Sequence, residues 1–175
     1  MSRWWSPAAG HAALLLLGAM LFPGVASAQQ TTLTLTNNGL AIPTGVAIDS
    51  THYNAGWVCA TGSMGYEVRA ISGNTARTAT LFMRANGAIT GGQAGKLADL
   101  QWRIGTPCSP TVAGTGWTSL TQVDATVEAG SIKANGPANG RFFSDVVYFR
   151  FLLAWSTDLG ATTFTLPQLI FTVSQ

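Results

Sequence analysis

Along most of the chain, apolar and polar residues alternate with a period of two, and Gly, Asn and Pro cut the alternation into short lengths. Successive side chains of a strand point to opposite faces, so this pattern predicts half-buried β-strands. Thr31 to Thr36 (TTLTLT) alternates Thr with Leu33 and Leu35, and Asn37-Asn38-Gly39 supplies a turn. Leu40 to Ile48 is a weaker extended stretch: Pro43 cannot donate to a central ladder and Gly45 marks a bulge or bend, which fits an edge. Tyr66 to Ile71 places Tyr66, Val68 and Ala70 on one face and the opposite charges of Glu67 and Arg69 on the other. Thr78 to Ala85 is another strand, stopped by Asn86-Gly87, and Gly91 to Gly95 is too glycine-rich for regular structure. Leu100 to Ile104 gathers Leu100, Trp102 and Ile104, with Lys96 to Asp99 before it as a single helical turn.

Trp117 to Thr121 and Gln122 to Glu128 read as one bent strand or two short ones, and Ala129 to Gly140, with its Asn-Gly and Gly-Pro breakers, as a long loop. The strongest signal is Phe142 to Trp155. On strand spacing Val147, Phe149, Phe151, Leu153 and Trp155 share a face, and the other face carries Val146, Tyr148, Arg150 and Leu152. The β-branched and aromatic density favours a strand over a helix. Asp158-Leu159-Gly160 turns the chain, and Thr162 to Val173 closes it as a strand interrupted at Pro167, with Phe171 and Val173 inward. Short strands at hairpin spacing, without a long amphipathic helix or βαβ alternation, predict an all-β antiparallel β-sandwich, immunoglobulin-like or jelly-roll. A transmembrane β-barrel is the rival, but most of these strands are shorter than the roughly 9 to 11 residues it needs.

The amino-terminal pattern is different. Arg3 precedes an uninterrupted apolar run from Ala12 to Phe22, followed by Pro23-Gly24 and the small-x-small triplet Ala26-Ser27-Ala28. That order is a secretory leader and its cleavage site. The run of 11 residues is well short of the roughly 20 that cross a bilayer as a helix. The expected organisation is a signal peptide over 1–28 and one β-sandwich domain over 29–175, exported to the periplasm, the cell surface or the medium. Cys59 and Cys108 are the only cysteines, and an even pair in an exported chain reads as one disulfide joining an early strand to a mid-chain loop.

Charge narrows the functional classes. Charged residues are only 9% of the chain, so the polar surface comes from Thr, Ser, Asn, Gln and Gly, as in many secreted β domains. After leader removal eight Lys or Arg face seven Asp or Glu, with no two basic residues adjacent. Nucleic-acid binding needs clustered positive charge and is not expected.

Candidate chemistry is sparse. His52 is the one histidine after the leader; it sits among Asp49, Ser50 and Asn54, and no GxSxG elbow accompanies it. No ligand set for zinc and no calcium-loop repeat is present, so neither metal nor cofactor is expected. Paired carboxylates are the one enzymatic scheme left, with Glu67, Asp124, Glu128 and Asp145 as candidates. Asp124 and Glu128, four apart on one strand, would lie about 13 Å from each other, too far for a retaining pair. No enzyme is expected.

The aromatics carry more. Trp102 and Trp155 are in phase with apolar neighbours and read as core. Trp57 and Trp117 each follow a Gly and lie within nine residues of a cysteine, so they either pack against the disulfide or form a sugar-stacking platform. In general character, a leader before a Thr/Gly/Asn-rich β domain with one disulfide, the chain resembles secreted surface and pilus-type subunits as a class. The expected function is therefore a surface-structural or adhesive module, with self-association through a sheet edge or contact with an extracellular protein or glycan. The alternative is a carbohydrate-binding module using Trp57 and Trp117.

Overall fold

The computed structural model describes residues 30–40, 50–73, 75–91, 96–134, 141–153 and 164–175. The expected leader, the edge stretch after Leu40, most of the glycine-rich 91–95 segment, Trp155 and the 158–160 turn lie outside these residues. The strands are β1 (Thr31–Asn37), β2 (Trp57–Cys59), β3 (Met64–Ala70), β4 (Arg77–Ala85), β5 (Thr90–Gly91), β6 (Leu100–Ile104), β7 (Thr118–Ser119), β8 (Ala125–Ile132), β9 (Phe142–Leu152), β10 (Phe164–Thr165) and β11 (Leu169–Ser174).

Two antiparallel sheets pack together as a β-sandwich. The larger follows the order β1-β3-β9-β6-β7. β2 pairs with the far end of β9, on the edge that β3 also uses, because β6 occupies the other. The smaller sheet follows β11-β4-β8, and β5 and β10 form a separate pair. The long strand β9 is the spine of the larger sheet, which follows from its length and from apolar residues on both faces.

The core lies between the sheets. Val68 and Val147 from the larger sheet and Leu81, Met83 and Ile132 from the smaller are fully enclosed, and Phe149 and Phe151 are 2% exposed. Burying each phenylalanine contributes about 2 to 3 kcal/mol. Alternation placed these residues correctly: Tyr66, Val68 and Ala70 are buried on β3, and Leu100 and Trp102 on β6. The expected turn over Lys96 to Asp99 is a 3-10 turn spanning Leu97–Asp99.

Two elements differ from expectation, and a third takes the second of its two expected forms. Ser50–Ala55 forms a short helix, α1, where the sequence reads as a polar loop. It buries no residue, so it leaves no apolar periodicity to read, and it closes with Gly56 N donating to His52 O at 2.9 Å. The Trp117 to Glu128 region is two strands in different sheets, β7 and β8. β8 then runs on to Ile132 into the expected loop, and Lys133 bridges to Arg141. Gly130 makes this possible, because a Cβ there would meet Phe143 Cδ1 at 2.5 Å. A glycine in the stretch that reads as a loop is thus a strand residue over which the Phe143 ring packs.

Candidate functional site

Three places on the sandwich hold the residues with chemical potential. The first is the outer face of the larger sheet around β2, β9, β6 and β7. Cross-strand register puts Cys59, Arg150, Gln101 and Ser119 in one row, with Trp57 opposite Leu152 and Arg103 opposite Tyr148 in the rows on either side. The Cys59–Cys108 disulfide, with a Cα–Cα distance of 5.6 Å, ties the segment after β6 down over this face. The bond joins an early strand to a mid-chain loop, as the cysteine pattern predicts.

Two arginines clasp that loop. Arg103 is 8% exposed; it donates from Nε to Thr106 O at 2.8 Å, from Nη1 to Thr115 O at 3.4 Å and from Nη2 to Pro107 O. Gly114, at φ +61, lets the loop backbone close over it, since a Cβ there would overlap Arg103 Nη1. Arg150 donates from Nε to Gln101 Oε1 at 2.8 Å and from Nη1 to Ala113 O at 2.9 Å. Both guanidinium groups lie against the Trp117 ring, at 4.3 and 4.4 Å from its centroid, and Arg150 lies 5.3 Å from that of Trp57. Neither arginine has a carboxylate partner among the described residues. Burial holds the Arg150 pKa below the ordinary arginine value, and the nearby charge of Arg103 pushes it the same way.

The two indoles singled out by sequence are therefore neighbours of the disulfide-stapled loop. Trp57 and Trp117 are both half-buried. Their ring nitrogens donate to loop carbonyls, Trp57 to Ser109 O and Trp117 to Ala113 O, each at 2.9 Å. Sequence reasoning missed Arg103 and Arg150, because a lone charge on an alternating strand reads as solvent-facing. Their outward positions beside a tryptophan-bearing strand were the available signal.

The second place is the phenol of Tyr66, whose hydroxyl donates to Glu128 Oε2 at 2.5 Å across the two sheets. Its pKa is raised well above the ordinary phenol range, first by burial, then by the Glu128 hydrogen bond and the negative charges of Glu128 and Asp145. Asp145 Oδ1 accepts from Val146 N at 2.7 Å. The other two candidate carboxylates are in ion pairs: Glu67 with Arg69 at 2.9 Å, which lowers the Glu67 pKa, and Asp124 with Arg84 at 3.3 Å. Beside Tyr66, on the outer face of β1, β3 and β9, lies an open groove of about 430 Å3 with Thr34, Thr36, Glu67 and Ser144 on its walls. His52 lies on α1. Among the described residues, no group of three His, Cys, Asp or Glu could hold a metal ion, and no helix is long and apolar enough to cross a membrane.

The third place is the pair of terminal strands. Among the described residues β1 pairs only with β3, and β11 only with β4, so each lies at the edge of a different sheet. Neither contains a charged residue. No protein-family model, no curated protein and no solved structure matches the chain.

Proposed function

We propose that the mature chain is an exported, non-enzymatic β-sandwich module with a surface-structural or adhesive role, associating with copies of itself through a sheet edge. One observation carries the reading: both terminal strands lie at sheet edges and lack the lysines or inward charges that discourage edge-to-edge pairing. The stapled loop supports it by stiffening one face of a domain with few charges. Arginine stays protonated at every physiological pH and indole does not titrate, so the clasp of Arg103, Arg150, Trp57 and Trp117 suits fixing a shape rather than moving protons. Intact-mass measurement of material from the periplasm and the medium tests the export half. The expected species has lost residues 1–28 and two hydrogens at the disulfide; a chain that keeps its leader and two alkylatable thiols overturns it.

A second reading, carbohydrate binding, draws on the partial exposure of Trp57 and Trp117. Their ring nitrogens already bond the loop and arginines lie against them, which leaves less indole surface for a sugar. Glycan screening of Trp57→Ala and Trp117→Ala beside the parent chain tests it, and loss of a bound glycan in either variant would favour this reading over the first.

A further inference from the structure

The backbone of β1 has a defined polarity. Asn38 N donates to Ser63 O at 3.0 Å and Ile71 N donates to Gln30 O at 2.8 Å, so the even-numbered residues of this segment turn their backbone groups toward β3. Alternation in an antiparallel ladder then turns the N–H and C=O of Thr31, Leu33, Leu35 and Asn37 toward the outer edge, where no described strand meets them. The side chains have a second regularity. Thr32-Leu33-Thr34-Leu35-Thr36 reads the same in both directions. About a two-fold axis each residue meets its counterpart from the other end of the same strand, so this palindrome sets leucine against leucine and threonine against threonine.

We infer that β1 is a homodimerisation strand, pairing antiparallel with β1 of a second copy about a two-fold axis through Thr34. This rests on the self-association reading above and specifies its strand and register. With Thr34 opposite Thr34, Leu33 meets Leu35 and Thr31 meets Asn37. These are the residues whose backbone groups face outward, so each pair exchanges both of its N–H···O bonds. Leu35 is 43% exposed while Leu33 packs against the core, and the register sets the exposed leucine of each copy beside the covered one of the other. The apolar row that runs from Tyr66 to Leu35 then continues through Leu33 to Val68 of the second copy. Thr31 Oγ1 is shielded from solvent and has no hydrogen-bond partner. It falls opposite Asn37, whose Oδ1 accepts from Leu40 N at 2.7 Å and whose amide nitrogen can donate. The charges on the neighbouring strand, Glu67 and Arg69, are paired with each other, so no like charges oppose the approach. β11 (LIFTVS) has no such palindrome, which makes β1 the edge suited to a like partner.

Thr34 at the axis forms a pair without hydrogen bonds, with Cα atoms about 4.5 Å apart, close enough for a disulfide. Under mild oxidation the exported Thr34→Cys chain is expected to form a covalent dimer, whereas Thr32→Cys, set opposite Thr36, is expected to stay single. The Thr34 side chain is exposed, so charge is tolerated there in the monomer. Thr34→Lys and Thr34→Glu should each weaken association about tenfold, and an equal mixture of the two should restore it. Failure of Thr34→Cys to crosslink, equal crosslinking by Thr32→Cys, or parent-like association of Thr34→Lys overturns the β1 register while leaving association through another edge standing. A parent chain that is monomeric at every concentration overturns both.

Discussion

Arg103 is the residue on which the loop's conformation depends most. It is nearly enclosed on the outer face of the larger sheet, bonds three loop carbonyls and stacks on Trp117. Those carbonyls belong to exposed residues and can take water instead, so Arg103→Ala loses packing and the cation–π contact more than it strands polar groups. Urea unfolding should show a loss of about 2 kcal/mol. Arg103→Lys should recover less than half of it, because an ammonium cannot span three carbonyls as a planar guanidinium does. Tyr66 makes a separate prediction in pH. Its folded pKa is raised, so the folded state holds the phenol proton more tightly than the unfolded chain, and stability should begin to fall above pH ~10, where the unfolded phenol ionises. Tyr66→Phe should remove that alkaline component and lower stability at pH 7 by about 1 kcal/mol for the lost Glu128 bond. Burial of Tyr66 was legible from alternation on its strand. Its bond to Glu128 was not, because the partner lies on another sheet and sequence spacing says nothing of which strands face each other.

At the scale of elements, the disulfide and the loop it holds form one unit. The bridge spans a sequence separation of 49, and its removal frees that length of chain in the unfolded state, an effect of about 4 kcal/mol. Cys59→Ser with Cys108→Ser should therefore lower the urea midpoint sharply. Limited proteolysis of the double variant should cut first between Gly105 and Trp117, while the β3, β6 and β9 core remains protected; cleavage beginning in β9 would contradict the unit. Strands with one continuous apolar face were legible with their inward residues, as Tyr66 and Val68 of β3, Leu100 and Trp102 of β6, and Val147, Phe149 and Phe151 of β9 show. Elements without such a face were not: α1 buries no residue and has no apolar stripe, and the end of β8 includes Ala129, Gly130 and Ser131, residues of low strand propensity that are held in the ladder by pairing with Thr80, Ala79 and Thr78 of β4. The cysteine pair was legible because only one pairing exists, and the arginine clasp was not, because it forms only once the bridge brings the loop across the sheet.

For the whole molecule, the order β1-β3-β9-β6-β7 over β11-β4-β8 places the first and last of the described strands at the edges of different sheets among the described residues. The sequence shows that these strands lack charge; only the topology shows that, among the described residues, each is paired on one side alone, which is what supports the proposed association through an edge. Association through an edge of this length is small beside the roughly 1,600 Å2 of a standard interface, so it should be reversible and concentration-dependent rather than permanent. Static light scattering of the disulfide-bonded chain of residues 29–175 over a wide concentration series tests this most directly. The account predicts a weight-average mass that rises from monomer toward dimer as concentration increases and returns on dilution; a mass that stays at the monomer value throughout would contradict it.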